Sequence, residues 1–258
     1  MNVSKRQNTL LDFIICEYVK TAKPIPSALV CKKSRLRVSP ATIRNEMNYL
    51  EENGYLEQRH TSGGRVPTDK AYRYYVNQLL SQPHQLEVKP QDKKDIARAL
   101  VKAGTDSRAI NKAIARVLSE QSGDLVITGI AKEAEFFKQG LVSLFRQAEF
   151  QEVDSLFQLT NFFENFDLMF QLIEREFMRI LGGPDGISIQ ILIGHENPFR
   201  QIKGETIMCT KYLLPGDVIG SLTLIGPKRM DYEKNIALIK YTTDYLQTIN
   251  QWSISNFQ

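Results

Sequence analysis

The 258-residue sequence predicts an α+β protein. Three observations carry that prediction. Apolar residues recur at steps of three and four through most of the first half of the chain, as they do on the buried face of amphipathic helices. Beyond residue 124, short runs rich in Ile, Leu, Val and Thr stand between Gly- and Pro-containing breaks, as antiparallel strands do. The composition, 42% apolar and 24% charged, suits a chain that buries a core and excludes wholesale disorder; this length makes one large domain or two smaller ones.

The first helix carries Leu10, Leu11, Ile14, Ile15 and Tyr18 on one face, and Thr21-Ala22-Lys23-Pro24-Ile25-Pro26 stops it. Ser27 is placed to cap a short helix from Ala28 to Lys33. A basic turn of Lys32, Lys33, Arg35 and Arg37 follows. The third helix starts sharply. Ser39 offers a side-chain cap, and Pro40 gives up an N–H that the first helical position leaves unpaired anyway. This helix runs to about Asn53, with Gly54 where a left-handed residue ends helices. Its stripe Ile43, Met47 and Leu50 turns inward, which leaves Ala41, Thr42, Arg44, Asn45, Asn48 and Tyr49 on or beside the opposite face. Tyr55 to Arg59 alternates as a strand does, and His60-Thr61-Ser62-Gly63-Gly64 reads as a turn. Arg65-Val66-Pro67 is a short return strand, in which Pro67 fits only an edge or a strand end. Thr68-Asp69 opens another helix, with Tyr72, Tyr75, Val76 and Leu79 on one face.

Residues 81–91 hold two prolines and little apolar material, the composition of a linker. Two helices follow, one marked by Ile96 and Leu100, the other by Ile110, Ile114, Val117 and Leu118 with Asp106 as its cap. Leu125 to Thr128 reads as a strand. Residues 132–147 and about 149–181 read as helical, with Phe136, Phe137, Phe145, Phe157, Phe162 and Phe163 in the core. After the breaker Gly182 to Gly186, strands are expected at 187–193, about 206–213 and 218–225. The last two face each other across Leu214-Pro215-Gly216-Asp217. A final helix from Asp231 to about Trp252 has the stripe Tyr232, Ile236, Ile239, Thr243, Leu246, which is either core or a dimer seam.

Charge is unevenly spread. The net charge is +4, but residues 1–80 hold 13 basic and seven acidic side chains and sum to +6, while the other 178 residues sum to −2. This asymmetry points to a polyanion partner for the first segment. None of the three cysteines has a second Cys or a His at ligand spacing, so no metal site is expected, and an odd, sparse count suits a reducing compartment. No charged-then-apolar leader opens the chain, and no stretch approaches the roughly 18 to 20 apolar residues of a membrane span; the protein is read as cytoplasmic, without a membrane partner. His195 precedes Glu196, but no nucleophile, metal cluster or phosphate loop accompanies them, so neither an enzyme nor a cofactor is expected. Gly226-Pro227-Lys228-Arg229-Met230 reads as a strand-to-helix turn with Asp231 as the next N-cap.

Two short helices, a basic turn, a third helix with a polar outer face and a two-stranded turn: this order describes a winged helix-turn-helix. A helix fits the major groove of B-DNA, and its N-terminal side chains reach base edges. Asn45 pairs two-pronged with adenine and Arg44 with guanine, while Thr42 offers a methyl and a hydroxyl. Lys32, Lys33, Arg35 and Arg37 lie where phosphates would pass. The turn Thr61-Ser62-Gly63-Gly64-Arg65 brings main-chain N–H groups near the sugar-phosphate backbone, since glycine has no Cβ in the way; Arg65 then enters the minor groove or holds a phosphate. His60, beside that turn, is either a DNA contact or a structural hydrogen-bonding group. The pattern alone leaves a solvated interaction module as the alternative.

The residues also carry a resemblance. Val38-Ser39-Pro40-Ala41-Thr42-Ile43-Arg44-Asn45-Glu46-Met47, then Leu50-Glu51, Gly54-Tyr55-Leu56, and His60 through Arg73 (HTSGGRVPTDKAYR) resemble the DNA-binding segment of the HrcA family of bacterial heat-inducible transcription repressors. Gly63 stands where the family usually has Ala, and Ala71 where it has Gly. Ile193 to Asn197 and Gly220 to Tyr232 carry a second match, with Lys228 where Thr is usual. The resemblance covers roughly residues 1–80 and 125–252. It implies a homodimeric repressor that binds double-stranded DNA at an inverted-repeat operator, called CIRCE, upstream of chaperonin genes, with the chaperonin GroEL as co-repressor. Its DNA-reading residues would be Ser39, Ala41, Thr42, Arg44, Asn45, Asn48 and Tyr49, with the wing Thr61 to Arg65. It further implies a winged-helix domain over 1–80, a linker over 81–91, and over 92–258 a helical segment plus a GAF-like α/β domain with antiparallel strands for regulation and dimerisation. The chain departs from the family in being shorter: Leu118-Ser119 resembles the end of the helix leading into the second domain, and Leu125 to Phe150 already resembles a late part of it. The first sheet segments and an inserted dimerisation domain are therefore expected to be largely absent. A small-ligand sensor or protein-interaction module is the alternative for this shortened part.

Overall fold

The computed structural model describes residues 3–34, 36, 38–58, 63–82, 86–130, 135–151, 157, 160, 164, 189–198 and 202–255. It is mixed helix and antiparallel sheet, in two compact units: Met1–Gln82 with Lys228–Met230, and Pro83–Pro227 with Asp231–Gln258. No helix among the described residues is long and apolar enough to cross a membrane.

The first unit packs α1 (Lys5–Thr21), α2 (Ser27–Lys33), α3 (Pro40–Glu52) and α4 (Asp69–Ser81) with a small antiparallel pair, β1 (Leu56–Glu57) and β2 (Val66–Pro67). Leu10, Leu11, Ile14 and Ile15 are buried, as are Val30, Ile43, Met47, Leu50, Tyr72 and Val76. At roughly 25 cal/mol per Å² of apolar surface removed from water, this core supplies the main stabilisation. Polar links set the helix positions. Glu46 on α3 accepts from Arg6 and from Gln7 Nε2 (2.8 Å), while the Asn8 and Gln78 amides exchange hydrogen bonds of 3.0 and 2.9 Å between α1 and α4.

Helix ends follow their local chemistry. Ser39 accepts from Thr42 N (3.1 Å), Thr68 from Ala71 N (3.3 Å), Asp106 from Ala109 N (2.6 Å) and Asp231 from Lys234 N (3.1 Å). Ser27 does not cap α2. It is the first helical residue, preceded by Pro26 at φ −77°, ψ 149° with no side-chain cap. The cause is tertiary: Ile25 bridges to Arg65 through two backbone hydrogen bonds, so the chain stays extended through Pro26 and turns helical immediately after.

In the second unit, α5 (Pro90–Ala103) opens at Pro90, inside the segment that reads as a linker. Proline is at home at the first helical position, so its presence there marked a start rather than a gap. Next come α6 (Ser107–Ser122), β3 (Leu125–Ile130), β4 (Phe136–Gln139), α7 (Leu141–Phe145), a 3-10 turn (Ala148–Gln151), β5 (Gln190–Ile193), β6 (Glu205–Leu214), β7 (Val218–Pro227) and α8 (Tyr232–Ser255). The strands form one antiparallel sheet in the order β4-β3-β7-β6-β5. The expected helix over 132–147 is therefore corrected. Residues 136–139 pair with β3 as an edge strand, because Phe136 gains contact with the sheet core there, and Gly140, at φ 101°, separates the strand from the short α7. The expected helix over 149–181 and the strand start at 187–188 fall almost wholly outside the described residues.

Alternation assigns the two sheet faces. Leu125, Ile127, Ile207, Cys209 and Ile225 pack with Leu144, Phe150 and Ile202. On the other face, Thr206 and Tyr232 share a hydrogen bond of 2.8 Å between sheet and α8, and the Tyr212 hydroxyl donates to Asn111 Oδ1 on α6. All five residues of the α8 stripe are buried within the chain, which makes that stripe core. Among the phenylalanines read as core, Phe136 and Phe145 pack on the first face and Phe137 is half-buried. Phe157 is instead 68% exposed, because one turn of apolar spacing does not say which face is covered; Phe162 and Phe163 lie outside the described residues.

Candidate nucleic-acid interface

Burial of Ile43, Met47 and Leu50 fixes the rotation of α3, and the residues half a turn away come to the surface. Ala41, Arg44, Asn45 and Asn48 are exposed; Thr42 and Tyr49 are half-buried at the flanks. At the N-terminus, the exposed Ser39 is engaged twice: its hydroxyl caps Thr42 N and shares a 2.9 Å hydrogen bond with the Thr42 hydroxyl. Among the described residues neither Arg44 nor Asn45 has a hydrogen-bond partner.

Lys32 and Lys33 are exposed in the last turn of α2, where the helix dipole favours cations. Lys33 Nζ lies 3.3 Å from Glu17 Oε2, an exposed pair that water screens. Arg35, Arg37, His60, Thr61 and Ser62 lie outside the described residues.

The hairpin shows what sequence reasoning missed. A Cβ at Gly64 would meet the Ile25 backbone at 2.4 to 2.6 Å. Its lack of a side chain is thus required by the strand beside it, independently of any ligand. Arg65 is folded back onto α3. Its Nε donates to Glu51 Oε2 (2.8 Å) and an Nη donates to Asn48 Oδ1, and the side chain is only 13% exposed. That Ile25 and Glu51 anchor the hairpin carried no signal in the sequence. A pairing across a gap of 14 residues depends on the register of the intervening turn.

Behind this surface, burial pushes the Asp12 carboxyl of α1 up to about 6, and its Oδ1 has no hydrogen-bond partner among the described residues. The Tyr74 hydroxyl on α4 is raised by burial first, then by the charges of Asp12 and Tyr55.

The family model described as HrcA protein C terminal domain matches residues 70–236. The chain is 25% identical to the heat-inducible transcription repressor HrcA of Desulforudis audaxviator (strain MP104C), over 96% of this chain and 98% of that protein. It is 28% identical to the protein of the same name from Acetivibrio thermocellus, over 93% and 94%. The first alignment runs over 347 positions, 89 more than the 258 residues here, so the relative has internal segments with no counterpart in this chain. A crystal structure of a hypothetical protein shares the fold, with a TM-score of 0.76 at 18% identity over 96% of this chain and 99% of that one. The family model spans well over half of the sequence, and relatives bearing the family's name align along more than nine-tenths of it: the chain belongs to the HrcA family.

Proposed function

We propose that the protein is a non-enzymatic transcription repressor that binds double-stranded operator DNA through a winged helix-turn-helix over residues 1–80. In this reading α3 enters the major groove, with Ala41, Thr42, Arg44, Asn45, Asn48 and Tyr49 toward the bases and Ser39 at the groove edge. Lys32, Lys33, Arg35 and Arg37 meet phosphates, and His60 through Arg65 form the wing. The carrying observation is the exposed Arg44 and Asn45, without a hydrogen-bond partner among the described residues, on a helix whose opposite face is buried. The name of the relatives, heat-inducible transcription repressor, supports the same reading.

The operator is an inverted repeat of the CIRCE type, read by a homodimer in the cytoplasm. Residues 81–91 link this segment to a GAF-like regulatory and dimerisation domain over 92–258. Chaperonin GroEL favours the DNA-binding state, and misfolded protein after heat occupies the chaperonin and relieves repression. Two states of different operator affinity are required. Titration of an inverted-repeat duplex with and without chaperonin tests both parts. No shift of the operator duplex sinks the DNA reading; a shift indifferent to chaperonin sinks the regulatory one.

A second reading of the C-terminal part, as a small-ligand sensor, is favoured by one observation. A cavity of about 410 Å³ lies among Ser119, Leu125, Lys138, Gly140, Leu141 and Ser143. It predicts operator affinity that responds to a metabolite extract depleted of protein.

A further inference from the structure

We infer that Glu51, acting through Arg65, is a positioning residue that fixes how Asn48 faces DNA, and that Arg65 itself makes no DNA contact. This rests on the operator-binding reading above.

Arg65 is held at three points. Its backbone N–H and C=O both pair with Ile25, at 3.0 and 2.9 Å. Its Nε donates to Glu51 Oε2 at 2.8 Å, and its Nη donates to the Asn48 side chain. With 13% of the side chain exposed, against 32% for Glu51, the guanidinium is the more enclosed partner. A charge-assisted pair of this kind is shorter and stronger than an exposed ion pair. To reach a phosphate, Arg65 would have to leave a carboxylate that is already in place and strand it in the last turn of α3, where the helix dipole disfavours negative charge.

The consequence falls on Asn48. A guanidinium has donors only, so the amide atom facing it must be the oxygen. One lone pair of Oδ1 is thereby engaged and the amide is turned, with its Nδ2 donors pointing away from Arg65. Two-pronged reading of adenine needs both a donor and an acceptor from one amide. With its oxygen turned toward Arg65, Asn48 leads with its donors and best fits an acceptor: guanine O6 or N7, thymine O4, or a phosphate oxygen. Asn45 keeps both of its amide atoms for adenine. The Glu51–Arg65 pair thus decides which of two asparagines on the same face reads which chemistry.

The sign of one substitution separates the possibilities. The full chain and its Glu51→Gln, Arg65→Ala and Arg65→Lys variants are titrated by anisotropy against an inverted-repeat duplex over a series of salt concentrations, with thermal melts alongside. If Arg65 positions Asn48, Glu51→Gln and Arg65→Ala each weaken operator binding roughly tenfold. Their salt slopes match wild type, and the double variant is no worse than the weaker single. Arg65→Lys, which keeps the charge but not the fork, behaves like Arg65→Ala. Tighter binding by Glu51→Gln, or a salt slope lower by about one in Arg65→Ala, means that Arg65 holds a phosphate and overturns the inference. Base substitution across the operator then tells the two acceptor sources apart: Asn48→Ala loses discrimination at one base pair if it reads a base edge, and at none if it holds a phosphate. If the wild-type chain does not shift the duplex at all, the operator reading fails and this inference falls with it.

Discussion

Gly220 stands opposite Tyr212 across the β6–β7 ladder, and a Cβ at Gly220 would lie 2.5 Å from a carbon of the Tyr212 ring. The ring is buried, and burial holds its hydroxyl far above the usual phenol range, as a neutral donor to Asn111 Oδ1. Gly220→Ala is expected to cost about 1–3 kcal/mol through overpacking. Tyr212→Phe leaves Asn111 Oδ1 without its donor and is expected to cost a similar 1–3 kcal/mol or so. Urea unfolding of both variants measures this. An unchanged midpoint for Gly220→Ala would show that the ring is free to move aside.

Gly64 makes a similar demand in the first unit, but its neighbour is backbone. A methyl there meets Ile25 N, C and O, none of which swings away as a side-chain end does. Gly64→Ala should therefore break the Ile25–Arg65 bridge and destabilise the unit by about 3 kcal/mol, the upper end of overpacking costs. Hydrogen exchange at the Ile25 and Arg65 amides would rise first, and retained protection there would refute the account.

Asn45 and Lys32 separate base reading from phosphate holding. Both are exposed, on α3 and at the end of α2. Asn45→Ala should cost about 1–3 kcal/mol at one operator base pair and relax discrimination there. Lys32→Ala should weaken specific and non-specific binding alike and flatten the salt slope by about one. Uniform weakening by Asn45→Ala on all sequences would remove it from the base-reading set.

Asp12 gives stability a pH dependence. Its folded pKa, about 6, lies above the ordinary 3.8, so the fold prefers the protonated form. That contribution is full below about pH 4 and is lost as pH rises through 6. Asp12→Asn should melt above wild type at pH 7.5, by a gain of about 1 kcal/mol or less because the side chain is partly solvated, and match it at pH 4. An equal gain at both pH values would point to packing rather than charge.

In the first unit, the starts of α3 and α4 were legible because each is set by local chemistry. Ser39 with Pro40 and Thr68 with Asp69 act on neighbours three or four residues away. The outer face of α3 was legible for the same reason, since a buried stripe at known spacing fixes what is opposite. The hairpin β6–β7 was legible from its turn. The start of α2 and the identity of β4 were not. Ile25 is extended because Arg65 lies beside it, and Phe136 to Gln139 is a strand because β3 offers an open edge. The first partner lies far along the chain, and the second, though the preceding strand, pairs only through a register that residue spacing does not specify.

By itself, then, the sequence determined the element types with strong period and caps, the basic bias of residues 1–80, and the run from Val38 to Arg73 that resembles a DNA-reading segment. Only the tertiary structure shows which groups within the chain Arg65 meets. Read along the chain it is a cation at the tip of a turn, free to meet a phosphate. Folded, it is spoken for by Glu51, Asn48 and Ile25. The reason is physical: caps and periodicity act within a turn of helix, whereas the partner of a charged side chain is set by whichever group the packing brings within hydrogen-bonding distance.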